Sequence, residues 1–255
     1  MALGLLYRLY ERRLLSGLDR DRLPRHIGIV LDGHRRHARE EGLPSYKDSY
    51  RVGMRRFEDF LGWSNRLEIP VVTAWLLSRE NLSRAADELD PYFEVLVELF
   101  DRLPDLAASY DMGIKVIGSL DLLPDHLVTA AKRSQEARPR GSRRLNLAMG
   151  YGGRQEIVDA AKDLVAELAS SGVDASEIPS HIDAEALAAH MYSADMPDPD
   201  LLIRTSGESR LSGFLLWQSA YSEFVFVDVN WPAFRHVDFL RALRDYSGRE
   251  RRFGK

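Results

Sequence analysis

A chain of 255 residues without a cysteine excludes disulfides, thiolate catalysis and Cys-based zinc or iron–sulfur sites. Its apolar share of 45%, charged share of 29% and net charge of −4 are ordinary for a soluble globular protein, and no nucleic-acid partner is expected. The length suffices for one large α/β domain, and no apolar run approaches the ~18 residues of a membrane span.

Residues 1–22 mix Leu6, Leu9, Leu14 and Leu18 with Arg8, Arg12 and Arg13. That spacing predicts an amphipathic helix packed on its own domain, with membrane contact at most peripheral. The segment has no small-residue cleavage site, and the cysteine-free composition fits a cytoplasmic protein.

Next, the apolar run Ile27–Leu31 stops at Asp32-Gly33, and Arg35 and Arg36 follow at once. A short run bounded by a turn residue reads as a buried parallel strand. A carboxylate at its C-terminal end, a glycine that allows close backbone approach and two arginines suit a phosphate with its metal. A capped strand-to-helix turn with solvated arginines would show the same residues.

Strand and helix patterns then alternate. Ser49–Arg66 reads as a helix, with Met54, Phe57, Phe60, Leu61 and Trp63 on its apolar side. Pro70–Leu77 reads as a strand, Pro91–Tyr110 as a long helix, Met112–Ile117 as a strand and Pro124–Ala137 as a helix. Leu145–Met149 is a further strand, closed by Gly150-Tyr151-Gly152-Gly153, and Arg154–Ser170 a helix. Phe224–Val227 is the last strand read. Such alternation implies parallel β-α-β units with helices on both faces and ligands at the strand C-terminal ends. No internal repeat or long linker divides the chain, so one domain is expected.

Two further polar clusters fall at strand ends. Ser78, Arg79, Glu80, Asn81, Leu82 and Arg84 follow the second strand, where Ser78 and Asn81 could equally be capping residues. Arg204, Thr205, Ser206, Gly207, Glu208, Arg210 and Ser212 crowd into nine positions. They make an oxyanion or diphosphate cradle, or a loop braced by ordinary salt bridges. Phe214–Trp217 is an apolar patch, and Glu223, which opens the last strand, has the chemistry of a second metal ligand. Three arginine-bearing strand ends among oily elements suggest two phosphorylated ligands beside an apolar tunnel. There is no Walker-type loop and no nucleophile elbow.

The segments LDGHRRHA, LLSRENLSR, LNLAMGYGGRQEIVDA and PDPDLLIRTSGESRLSGFLLWQSAYSEF, in this order, resemble the cis-prenyltransferases, the isoprenyl transferases that include undecaprenyl diphosphate synthases. The resemblance runs from about Leu23 to the C-terminus and implies a catalytic domain over residues 23–255. The implied fold is a single α/β domain whose central, mostly parallel six-stranded sheet is flanked by helices, with an apolar tunnel beside it. The implied reaction is Mg²⁺-dependent condensation of isopentenyl diphosphate with an allylic diphosphate, forming a cis double bond in a homodimer.

Residue by residue, the resemblance makes Asp32 the Mg²⁺-linked catalytic carboxylate and Asn81 a second catalytic residue. Gly33, His34, Arg35, Arg36 and Arg84 would surround the allylic diphosphate, with Ser78 between the substrates. Arg204, Arg210 and Ser212 would hold isopentenyl diphosphate, and Glu223 would be a second metal ligand. His37, Arg79, Glu80, Leu82 and Leu211 are further expected substrate contacts, and Arg252 and Gly254 belong to a tail motif that reaches the partner subunit's site.

The chain also departs from the family pattern. Relatives usually carry Asn and Trp where His34 and His37 stand. Packing behind the site and phosphate contact are the roles expected of this pair. Tyr50 and Leu82 resemble the short-chain actinobacterial branch, as do YRLYERRLL and FRHVDFLRALRDYS. Leu76 stands where long-chain relatives have a small residue facing the tunnel. A bulky side chain there implies a short product, with geranyl diphosphate the favoured allylic substrate and (2Z,6E)-farnesyl diphosphate the product; a medium- or long-chain synthase is the alternative.

Overall fold

The structure is a computed structural model that describes residues 2–249, so the expectations for Arg252 and Gly254 lie outside the described residues. Six strands are present: β1 (His26–Val30), β2 (Val71–Trp75), β3 (Met112–Ile117), β4 (Arg143–Ala148), β5 (Leu201–Arg204) and β6 (Glu223–Phe226). They form one sheet in the order β3-β4-β2-β1-β5-β6. Every neighbouring pair is parallel, so the sheet expected to be mostly parallel is wholly so among the described residues.

The helices are α1 (Ala2–Ser16), α2 (His34–Glu40), α3 (Tyr46–Arg66), α4 (Ala86–Ser109), α5 (Asp125–Ala137), α6 (Gly153–Ser170), α7 (Ala184–Ala189) and α8 (His236–Ser247). Helix α3 starts three residues earlier than its apolar pattern suggests, because the Ser45 hydroxyl accepts from the Asp48 amide and caps it. Helix α4 starts at Ala86, where the Glu88 and Leu89 amides bond back to Ala85 O at 3.0 and 3.2 Å. Pro91 therefore lies inside the helix and does not open it; proline reads from sequence as a first-turn residue because it lacks an N–H.

Two helices, α7 and α8, were not anticipated. Residues Val237, Phe239, Leu240, Ala242 and Leu243 of α8 are buried, and Phe239 meets Phe60 of α3 edge-on at 4.9 Å. Helix α1 lies along α8: Leu14 is buried, the Arg235 guanidinium sits 5.6 Å from the Tyr7 ring, and Glu11 pairs with His236. Leu6, Leu9 and Leu15 remain on its exposed side. No described helix is long and apolar enough to cross a membrane.

Polar groups also cross the sheet. His26 on β1 bonds Thr73 on β2 at 2.8 Å, and Asn146 on β4 donates to the same hydroxyl at 2.9 Å. The Pro197 carbonyl, 2.7 Å from His26 Nδ1, can only accept, so the ring carries its proton there and Nε2 accepts from Thr73. Burial pushes the His26 pKa down to about 4.

Candidate active site

From β1 the chain leaves towards β2, and from β5 it leaves in the opposite direction towards β6. Adjacent parallel strands whose connections depart to opposite sides open a crevice at their C-terminal ends, the usual ligand position in such sheets. Asp32 follows β1 there and Arg204 ends β5, and the two pair at 2.8 Å.

Asp32 is held on every side. Its Oδ2 accepts from Arg204 Nη2, its Oδ1 from the Gly33 amide at 2.8 Å, and its own amide donates to Thr205 Oγ1 at 3.0 Å. The Trp231 amide donates to its carbonyl at 2.9 Å. Gly33 is required here: its φ is +104°, and a Cβ would come within 2.4 Å of Asn230 Oδ1. The Arg204 side chain is 9% exposed, whereas that of Asp32 is 37% exposed, so the carboxylate remains open to a ligand. Arg204 Nη1 also donates to Arg210 O and Ser212 Oγ, both at 2.6 Å.

Four further arginines are pre-paired. Glu88 of α4 accepts from Arg35 at 3.1 Å and from Arg84 at 2.9 Å. Glu208 accepts from Arg36 at 3.0 Å and pairs with Arg210. Arg36 also donates to Ser206 O at 2.6 Å. Each carboxylate thus holds two guanidinium groups close together, a fixed-fork arrangement that suits phosphate oxygens.

Two cavities meet at Asp32. One, about 310 Å³, is lined by Asp32, Gly33, His34, Arg35, Arg36 and Arg84 at its polar end and by Leu76, Leu77, Leu89, Tyr50 and Tyr92 at its apolar end. The other, about 430 Å³, is lined by Asp32, Ser78, Glu80, Arg204, Arg210 and Ser212. Leu31, Asp32, Leu76, Asn81 and Arg84 line both.

Several expected contacts lie elsewhere. Arg79 bonds Ser119 at 3.2 Å and, with Leu211, borders a neighbouring cavity. His37 and Leu82 line neither of the two cavities; His37 is buried on α2 and Leu82 packs against the core. Glu223 is not brought to Asp32 in this chain. It pairs with Leu201 in the parallel register of β5 and β6, at the N-terminal end of the sheet, and binds Arg249 at 2.7 Å. Along the strand direction it stands about five residues, roughly 16 Å, from Asp32.

His34 packs within a ring cluster, 5.4 Å from Tyr50 and 6.4 Å from Tyr92. Burial pushes its pKa down to about 4, so it faces the site as a neutral imidazole and adds no positive charge for phosphate. The role of Glu88 was missed from sequence, although its place four residues after Arg84 was the available signal.

The family model described for undecaprenyl diphosphate synthase matches residues 30–254. The chain is 49% identical over 250 residues to a (2Z,6E)-farnesyl diphosphate synthase of Thermobifida fusca, covering 98% of this chain and 97% of that protein. It is 44% identical to a short-chain Z-isoprenyl diphosphate synthase of Mycobacterium bovis, covering 98% and 96%. Lavandulyl diphosphate synthase from Lavandula x intermedia, solved with dimethylallyl diphosphate, superposes with a TM-score of 0.86 at 31% identity, covering 92% of this chain and all of that one. A parallel sheet with an arginine-lined crevice at its switch point, and matches over nearly the whole length, give one conclusion: the chain belongs to the undecaprenyl diphosphate synthase family of cis-prenyltransferases.

Proposed function

We propose that this enzyme condenses isopentenyl diphosphate with geranyl diphosphate to give (2Z,6E)-farnesyl diphosphate. The observation that carries the reading is the pair of cavities with a common wall at Asp32, Leu76, Asn81 and Arg84. The allylic substrate fits the first, diphosphate among Arg35, Arg36 and Arg84 and hydrocarbon against Leu76, Leu77 and Leu89. Isopentenyl diphosphate fits the second, against Arg204, Arg210 and Ser212. Residues 23–255 carry this chemistry, α1 braces α8, and a homodimer is part of the same reading.

Mg²⁺ fits the donor set. It binds through one or two carboxylates with substrate phosphates and several waters, and Asp32 offers one half-open carboxylate among cations. No group of three acidic or histidine ligands exists among the described residues. When bound, Mg²⁺ neutralises charge on the departing diphosphate.

The protein's own groups do the rest. Cleavage of the allylic C–O bond leaves an allylic cation and expels diphosphate, and Arg35, Arg36 and Arg84 are already placed to take up the developing charge. The isopentenyl double bond attacks that cation, forming the new C–C bond, and a proton then leaves the adjacent carbon. Asn81, on the wall between the cavities, is a neutral amide and a poor base. It positions the isopentenyl unit while the departing diphosphate takes the proton. Apolar side chains exclude water from the cation.

The test supplies labelled isopentenyl diphosphate with dimethylallyl, geranyl or farnesyl diphosphate and identifies the products by chain length and double-bond geometry. A C15 product from geranyl diphosphate is expected. C50-class chains, or coupling of two dimethylallyl units, would refute the assignment.

A further inference from the structure

Leu76 lines the apolar end of the allylic cavity, and three rings of the same cavity cluster beside it. Tyr50 of α3 and Tyr92 of α4 lie 4.7 Å apart between ring centroids, and His34 of α2 leans on both. All three rings are at most 8% exposed and line the cavity with Leu76. Four elements thus converge on one spot.

The cluster is also tied together. The Tyr92 hydroxyl donates to the Leu76 carbonyl, and the Leu76 amide donates to Ala148 O at 3.1 Å. Leu76 is therefore pinned at both backbone groups, which fixes the point from which its side chain enters the cavity. On the far side, His34 fits only because residue 53 is glycine: a Cβ there would lie 2.0 Å from His34 Cε1. Ser49 Oγ donates to the His34 carbonyl at 2.7 Å, which anchors the start of α2.

We propose that Tyr92 is a second specificity-determining residue for product length, acting both as a wall of the cavity and as the anchor that keeps Leu76 in place. It rests on the short-chain reading above. With Leu76 intact, removing the Tyr92 ring opens the cavity towards α4. Removing Leu76 alone leaves the aromatic wall standing.

The experiment compares wild type with Leu76→Ala, Tyr92→Ala and the double variant. Products from geranyl diphosphate and excess isopentenyl diphosphate are sized, and kcat/KM is measured for farnesyl against geranyl diphosphate. Tyr92→Ala is expected to yield C20 or longer products and to raise the farnesyl-to-geranyl ratio about tenfold or more, the scale on which apolar pockets discriminate by size. The double variant is expected to extend further than either single one. Tyr92→Leu serves if the alanine variant does not fold, and Tyr92→Phe, which keeps the ring but loses the hydroxyl that holds the Leu76 carbonyl, is expected to give mainly C15 with a smaller rise in the ratio than Tyr92→Ala; no rise at all removes the anchoring role. A folded Tyr92→Ala or Tyr92→Leu enzyme that keeps the C15 product and the wild-type ratio overturns the proposal while leaving the short-chain reading intact. Long chains from wild type overturn both.

Discussion

Between the N-terminal end of the sheet and its middle, His26, Thr73 and Asn146 form a hydrogen-bonded row across β1, β2 and β4, buried and closed to solvent. At the C-terminal end, Asp32, Arg204 and five further arginines line two cavities, and the Asp32 carboxylate remains partly open. Backbone conformation differs in the same way. Glu68 and Asp111, with positive φ near the N-terminal end, stand just past α3 and α4, where a left-handed residue ends a helix. Ser206, Ser212 and Leu215 also have positive φ, yet they lie in the cradle loop beside Gly207 and Gly213 and end no helix. Strain of that kind persists where a ligand site requires it. One end uses polar groups to fix strand register; the other holds them ready for a charged guest.

The largest effect expected from breaking this contrast is in Asp32→Ala. Turnover of labelled isopentenyl diphosphate should fall by about 10³-fold or more, the scale of removing a charge-organising group, while the thermal midpoint stays within a few degrees. Full activity would remove Asp32 from the mechanism. Next come substitutions that separate the cavities. Arg35→Ala should raise KM for the allylic substrate about tenfold, equivalent to about 1.4 kcal/mol, with the isopentenyl KM little changed. Arg210→Ala should do the reverse. Equal effects on both substrates would contradict the division of the crevice.

Thr73→Val should have the smallest effect on activity but a clear one on stability. It strands His26 Nε2 and leaves Asn146 Nδ2 with only the Met196 sulfur, at a cost of about 1–3 kcal/mol, visible as a lower thermal midpoint with kcat unchanged. Acid has a related effect. His26 and His34 titrate near 4 when folded, against 6.5 for an exposed imidazole. The unfolded chain therefore binds more protons between those values, and stability should fall as pH drops from about 6.5 to about 4. Glu156 works in the opposite sense, because burial raises its pKa and the folded form holds its proton more tightly. In thermal melts across that range, His26→Gln should flatten the acid decline; an unchanged slope would remove His26 as a contributor.

Much of the fold was legible because apolar runs report burial directly. The strands β1 to β4 were placed within one or two residues, and the clusters after β1, β2 and β5 do converge. Relationships across the sheet were less legible. Glu223 was read correctly as opening a strand, but only the β5–β6 register shows that a strand's first residue stands at the end away from Asp32. His34 was expected to pack behind the site or to touch phosphate; its ring lines the allylic cavity and packs on Tyr50 and Tyr92, neither of which its sequence neighbours Gly33 and Arg35 could indicate. Tyr92 gave no signal at all, being one more large residue on the buried face of α4.

The carboxylates that hold the arginines have a consequence for the resting enzyme. Glu88 and Glu208 each act as a counter-ion already in place, so the cradle does not depend on dissolved anions to keep its cations from repelling one another. A newcomer must outcompete an internal carboxylate. An ion of single charge gains little by doing so, whereas a diphosphate brings several charges and can engage two or three guanidinium groups at once. The crevice is thereby biased against abundant small anions and towards the highly charged head of its substrates.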